Sequence, residues 1–139
     1  MRILFTVLLL DGFHGSVMHV KEMASFLASA KGGHHSVTVA TCFATPSLVK
    51  IFNDANITVK KIFDIDTKIK YDIVFAYHFP VIDALFNQGL SCDKLVLGSL
   101  SSFELMETFP TYWDNASLLT VMSEETRHVH HTHYAIPLE

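Results

Sequence analysis

Three residues near the start of the chain, Gly12, Gly15 and Ser16, have types and a spacing suited to holding a phosphate. They lie between an apolar run and an amphipathic stretch, where two glycines let the backbone turn sharply and approach a ligand closely. Ser16 is predicted to cap the helix that follows, and the N-terminal N–H groups and dipole of that helix favour an anion. Because the full G-x-G-x-x-G spacing of a dinucleotide-binding fingerprint is absent, an ordinary strand-to-helix turn is the alternative interpretation.

A histidine follows another apolar run in the middle of the chain. His78 comes after residues 73–77 and before Pro80, which places it at the carboxyl end of a predicted strand. An imidazole at such a position can form a hydrogen bond to a substrate hydroxyl or to charge that develops during a reaction. From the residues alone, a turn histidine that is satisfied by backbone groups is the favoured interpretation.

Four histidines crowd the end of the chain, and two of them have the spacing of a helical metal site. His130 and His133 would share one face of a helix, as zinc ligands do. No cysteine or carboxylate nearby completes a ligand set, so no metal site is predicted. The cluster, with His128 and His131, is predicted to be a solvated helix end whose imidazoles suit the negative end of the dipole.

The elements that must position these residues alternate between strand and helix along the chain. Strands are predicted at residues 3–10, 37–42, 57–63, 73–77, 95–98 and 118–121. Helices are predicted at residues 17–31, from Pro46, at residues 81–89, and from Ser123 to about Tyr134. Parallel strands need crossover helices, so this order predicts an α/β fold: a doubly wound, mostly parallel, Rossmann-like sheet of about six strands with helices on both faces.

Composition and length restrict the class of protein further. The 139 residues suit a single domain over 1–139, and a net charge of -4 without a cluster of basic residues argues against nucleic-acid binding. Cys42 and Cys92 lack metal-ligand spacing and lie in or beside predicted strands, which indicates reduced thiols and a cytoplasmic location. No apolar stretch approaches the roughly 20 residues of a membrane span.

Four segments in the same order resemble the N-terminal half of a two-lobed glycosyltransferase of the GT-B type. The similarity is to the large retaining, family-4-like group that uses nucleotide-sugar donors. The segments are residues 1–5 with the glycine turn, residues 30–41 with the Gly33-His34 step, residues 71–80 with His78, and residues 118–127.

The resemblance implies roles for individual residues. Gly12, Gly15 and Ser16 would face the donor diphosphate, and His78 would be the catalytic candidate beside the transferred sugar. The acceptor-side candidates are Ser99, Glu104 and Ser123. The nucleotide sugar would be a substrate, bound mainly by the C-terminal lobe, and no cofactor is implied. The expected partners are that lobe and a glycan or lipid-linked acceptor, and Phe13 is the candidate contact to a lipid-linked acceptor. Peripheral contact at the cytoplasmic membrane face is also expected.

Three departures from the family pattern limit what the chain is expected to do. Ser99-Leu100-Ser101 stands where the family often has a second histidine, and the Gly33-His34 step is one residue longer than usual. The sequence also ends about where the linker to the donor-binding lobe would begin, so the isolated chain is expected to be inactive. The alternative function is a non-catalytic binding or assembly subunit of a split glycosyltransferase. A receiver domain is excluded, since Tyr77-His78 occupies the place of its phosphorylated aspartate.

Overall fold

A six-stranded parallel sheet organises the chain in a computed structural model, which describes residues 1–100 and 111–134 without the side chains of residues 133 and 134. The strands are β1 (Arg2–Thr6), β2 (Leu9–Leu10), β3 (Ser36–Thr41), β4 (Phe43–Ala44), β5 (Ile57–Lys61), β6 (Tyr71–Ala76), β7 (Cys92–Ser99) and β8 (Leu118–Val121). The helices are α1 (Gly15–Ala28), α2 (Pro46–Asp54), α3 (Pro80–Asn87) and α4 (Glu124–Tyr134).

The order of the strands across the main sheet is β5-β3-β1-β6-β7-β8, and every neighbouring pair is parallel. Counting only these six strands, the chain runs outward from β1 in one direction and then outward from β6 in the other, which is the doubly wound Rossmann order. The predicted fold class is confirmed. The lysine-bearing strand β5 lies at an edge, as predicted, where exposed charge discourages pairing with another chain.

Successive residues of each strand point to opposite faces of the sheet, and apolar side chains point to both faces. Helices therefore cover both faces. Ile3 and Phe5 of β1 belong to one buried cluster with side chains of α1 and α2, whereas Leu4 belongs to a second cluster with Val81 and Leu85 of α3. Fully burying an aliphatic or aromatic side chain of this size contributes about 1.5–3 kcal/mol. The two clusters together hold the strand ends in place.

The first strand is shorter than predicted. β1 ends at Thr6, and the remaining apolar residues, Leu9–Leu10, form a separate small parallel pairing with Phe43–Ala44. The backbone N–H of Leu8 donates to the side chain of His78 (3.0 Å) instead of to a neighbouring strand. This bond lies where the pairing with β6 stops, whereas on the β3 side the Val7 N–H still donates to the Ala40 carbonyl (3.1 Å). Periodicity could not reveal this change because the whole run is apolar.

The predicted end of the first helix at Lys31 is also wrong. α1 ends at Ala28, and the N–H of Ser29 bonds back to the carbonyls of the last turn (3.1 Å). The chain then turns so tightly that a Cβ on Gly32 would overlap the carbonyl oxygen of Phe26. The double glycine therefore serves the turn after the helix rather than the helix terminus itself.

Both cysteines are free thiols, Cys42 exposed just after β3 and Cys92 half-buried at the start of β7. Among residues 1–100 and 111–134, no helix has the length and apolar character that crossing a bilayer requires.

Candidate functional site

The candidate site lies where the order of the strands reverses, between β1 and β6. In open α/β sheets a crevice forms at this switch point, outside the carboxyl ends of the two strands. After β1 the chain forms the short strand β2 and then carries Gly12, Gly15 and Ser16, and the segment after β6 carries His78. The fold therefore places the predicted phosphate-holding turn and the predicted catalytic histidine after the ends of two adjacent strands.

The glycine turn leaves the N-terminus of α1 open. The helix begins at Gly15, and its N-cap residue, His14, forms no side-chain capping bond. Ser16 lies inside the first turn, so the prediction that it caps the helix is wrong: the helix starts earlier than its apolar pattern indicated. The first turn contains no acidic residue. The first turn itself therefore supplies no carboxylate to offset the positive end of this 14-residue helix, and the acidic side chain at this end is Asp11, which lies beside the His14 ring.

The two glycines of this turn do not need left-handed backbone conformations, because neither has a positive φ. The His14 ring lies over Gly12, where a Cβ would be 3.0 Å from Nε2, and His14 Nε2 is 3.3 Å from Asp11 Oδ1. A Cβ on Gly15 would meet no atom within 4 Å. Glycine at position 15 therefore leaves space beside the N-terminus of α1. A larger side chain could occupy this space without a clash with the described residues.

His78 is buried and conformationally strained. Its side chain is 6% exposed, its φ is 55°, and its Nδ1 accepts the hydrogen bond from the Leu8 N–H. Because Nδ1 is the acceptor, the neutral ring carries its proton on Nε2. The other described non-glycine residues with positive φ, His34 and Asn56, precede β3 and β5 at the opposite edge. Strain of about 1–3 kcal/mol at the ligand-binding edge is typical of functional residues.

The residue before His78 ties this strand end to α1. The Tyr77 hydroxyl and His19 Nε2 form a hydrogen bond of 3.1 Å, and the two rings meet edge to face. The Tyr77 ring occupies the space above Gly98, where a Cβ would overlap it. Burial raises the pKa of Tyr77 to about 12, so the hydroxyl stays protonated near neutral pH. His78 therefore sits next to a rigid connection between β6, β7 and α1.

A buried hydrogen bond joins the predicted acceptor-side residue Ser99 to the histidine cluster. Ser99 Oγ and His130 Nε2 are 2.8 Å apart, and the side chains are 1% and 3% exposed. The prediction of a solvated helix end is wrong for His130, although His128 and His131 are exposed as expected. The signal that could have found it is the i, i+4 spacing from Thr126, which is also buried.

The other acceptor-side candidates differ in their placement. Ser123 caps α4, because its Oγ accepts a hydrogen bond from the Thr126 N–H (3.1 Å), and the predicted capping role is confirmed. Glu104 lies outside the described residues. Within the described part of the chain, no three histidine, cysteine or acidic side chains come together as a metal site.

The buried histidine predicts a dependence of stability on pH. Burial lowers the pKa of His130 from its ordinary value of 6.5. The unfolded chain therefore takes up this proton first as the pH falls, and the free energy of unfolding declines below about pH 6.5 until the pKa of the folded state is passed. We expect His130→Gln, which retains a polar group toward Ser99, to lose less stability between about pH 7.5 and about pH 5 than the wild type does.

Urea unfolding at several pH values measures this difference. The matched control is His128→Gln, an exposed position on the same helix, which should keep the wild-type pH dependence. Equal pH profiles for His130→Gln and the wild type would contradict the prediction.

Comparison with protein-family models, curated proteins and solved structures gives no match to this chain. The fold and the site alone define its class: a Rossmann-like α/β domain with a candidate ligand site at the switch point of the sheet. That site combines an open helix N-terminus with a buried, strained histidine.

Proposed function

We propose that this chain is the N-terminal, acceptor-side domain of a retaining GT-B glycosyltransferase, which transfers a sugar from a nucleotide donor to a glycan or lipid-linked acceptor. The observation that carries the proposal is the placement of the glycine turn and His78 after the ends of the two strands that flank the switch point. Ligands of doubly wound sheets bind at this position.

The open end of α1 supports a role toward the donor diphosphate. The N–H groups of the first helical turn, starting at Gly15, and the helix dipole both favour a phosphate there. Gly15 leaves space for a ligand to approach the backbone, since nothing lies within 4 Å of its missing Cβ. In this proposal Gly12, Gly15 and Ser16 hold the phosphate side of the donor at the lobe interface.

His78 suits a positioning and charge-stabilising role at the reacting sugar. Its Nδ1 accepts the hydrogen bond of the Leu8 N–H, so the ring is oriented and the neutral ring carries its proton on Nε2. A donor held rigidly by burial needs little reorganisation when negative charge develops on a nearby oxygen. The ring would thereby donate to a sugar hydroxyl or to the departing phosphate without acting as a base.

Exposed apolar side chains lie along the edge of the sheet that carries the candidate site. They support the proposal that a second protein surface packs against this edge. They are found in the segments after four strand ends: Leu9, Phe13, Phe43, Phe63 and Met122, each 38–80% exposed. β5 and β8 are the outermost strands, so these side chains are spread along the whole edge, where they suit a broad interaction surface. We assign this edge to the donor-binding lobe, with Phe13 in peripheral contact with a lipid-linked acceptor at the cytoplasmic membrane face.

The apolar edge also favours a second candidate function. A non-catalytic binding or assembly subunit of a split glycosyltransferase would need the same surface to associate with its partner chain. One measurement distinguishes the two functions. If the chain is the catalytic domain, replacing His78 causes a loss of sugar transfer while the association of the two lobes is unchanged. If it is a binding subunit, the same replacement leaves sugar transfer unchanged.

The phosphate role predicts opposite effects of Gly15→Asp on stability and on anion binding. An aspartate in the first turn should stabilise α1 by about 0.3–1 kcal/mol through the helix dipole. Its charge should also weaken pyrophosphate binding about tenfold by repulsion. Urea unfolding measures the first effect, and an NMR titration of the chain with pyrophosphate, following the amides of Gly15 and Ser16, measures the second.

Gly15→Ala is the matched control, because it adds a Cβ without a charge. It should keep pyrophosphate binding within about threefold of the wild type. If pyrophosphate leaves the Gly15 and Ser16 amides unmoved in the wild type, the donor-facing role of this turn is refuted. A parallel titration with candidate acceptor sugars should move the signals of His78.

A further inference from the structure

A second cavity opens away from the switch point, at the carboxyl ends of β3 and β5. Its volume is about 420 Å³, within the range of sites that bind small molecules. In the order of the sheet, β3 separates β5 from β1, so this cavity lies on the far side of β1 from the strand that leads to His78. None of the residues predicted from the sequence as site residues lines it.

One part of the cavity wall is apolar. Ala44 from β4, Val49 from α2 and Val59 from β5 contribute it. All three are half-buried, and Ala44 and Val59 pack against the core cluster on the α1 and α2 face. A rigid wall of this kind accommodates a small hydrocarbon group, and burial of that group contributes about 25 cal/mol per Å².

The polar part of the wall carries a net positive charge. Lys60, Lys61 and Asp64 line it, with two positive charges and one negative charge. Thr41 lines it too, but the Thr41 hydroxyl donates to the carbonyls of Leu8 (3.0 Å) and Phe43 (2.9 Å), so its proton is already used within the chain. The lysine ammonium groups are therefore the donors available to a ligand.

Lys61 is better placed than Lys60 to reach a ligand in the cavity. Side chains alternate along a strand, so Lys61 shares the face of β5 that carries Val59, and its register partner on β3 is Thr41. Lys60 is paired with Ala40, which belongs to the cluster on the opposite face. Lys50, on α2, forms an ion pair with Asp54, whereas no described residue forms an ion pair with Lys61.

We propose that this cavity binds a small phosphate monoester with an apolar body, with the phosphate on Lys61 and the body on the Val49 and Val59 wall. Lysine is a suitable point charge for a phosphate, and its three donors adapt to the phosphate oxygens. Asp64 lies on the same lining and lowers the affinity for the anion by repulsion. The proposal is independent of sugar transfer, because it concerns binding alone.

An NMR titration of the full chain with phenyl phosphate tests the proposal. The amides of Thr41, Val49 and Lys61 should shift together. Phenol has the apolar ring without the phosphate, and inorganic phosphate has the charge without the ring. Each should bind at least about tenfold more weakly than phenyl phosphate. Shifts confined to other parts of the chain, or phenol binding as tightly as phenyl phosphate, would overturn the proposal.

Three variants test the charges with opposite expected signs. Lys61→Ala should weaken phenyl phosphate binding about tenfold, Asp64→Asn should strengthen it about threefold, and the control Lys50→Ala should leave it unchanged. Weaker binding in Asp64→Asn would mean that the Asp64 carboxylate does not repel the bound phosphate, and equal effects of Lys61→Ala and Lys50→Ala would mean non-specific attraction. Both outcomes refute the proposal. The failure of pyrophosphate at Gly15 would not affect it, since the two titrations follow different signals.

Discussion

Replacing Gly98 with alanine should destabilise the fold by about 3 kcal/mol, the upper end of what overpacking a core typically costs. The added Cβ would overlap Cε1 of the Tyr77 ring, which is buried between β7 and α1. The ring cannot move away without breaking the hydrogen bond between its hydroxyl and His19. Urea unfolding of the wild type and the variant measures the difference in the free energy of unfolding.

A double-mutant cycle shows whether the Tyr77 ring causes this loss. In a Tyr77→Leu background the ring is absent, so Gly98→Ala should cost less than about 1 kcal/mol. Gly15→Ala adds the same methyl group where nothing lies within 4 Å, and it should leave the stability unchanged or slightly higher. If Gly98→Ala costs the same in both backgrounds, the ring contact is not the cause.

Replacement of His78 should have its largest effect on sugar transfer. In an enzyme that joins this domain to a donor-binding lobe, we expect His78→Gly to lower the rate of transfer by about 10²–10³, the usual loss when an oriented donor is removed. Glycine is the better probe because His78 has a φ of 55°, a conformation that glycine adopts without strain.

Stability separates the structural role of His78 from its chemical role. His78→Ala and His78→Gly both remove the acceptor of the Leu8 N–H, a loss of about 1–3 kcal/mol, but only alanine keeps the backbone strain. The glycine variant should therefore be about 1 kcal/mol more stable than the alanine variant. Equal transfer rates for His78→Gly and the wild type would reject the catalytic assignment.

Local patterns were sufficient to predict the order of the six strands of the main sheet and of the four helices. The strands are apolar or β-branched runs, α1, α2 and α3 have an apolar side, and α4 was predicted from Ser123 and the acidic residues that follow it. The bounds of α1 were wrong because of local bonds at its ends, and the end of the first strand was wrong because of a distant contact. Its pairing with β6 stops at Thr6, after which His78, far along the chain, accepts the Leu8 N–H. A sequence pattern contains no information on such a contact.

The candidate site shows the same limit. His78 and the glycine turn could be predicted because both directly follow strands, and the ends of parallel strands meet at one edge. The hydrogen bond between Ser99 and His130 could not be predicted, because it joins the end of β7 to the middle of α4 and depends on how these two elements pack. The second cavity also escaped prediction: Thr41 and Lys61 are neighbours only through the pairing of β3 with β5.

The central position of β1 has a consequence for how the chain is made. β1 is synthesised before both of its neighbours, and its pairing with β6 joins residues such as Ile3 and Ile73, which are far apart in the chain. During translation, the apolar residues of β1 are therefore exposed until β6 has left the ribosome. Long-range parallel pairing is slow and prone to aggregation. We expect the yield of native protein to rise when elongation is slowed after β6 or when a chaperone shields nascent β1.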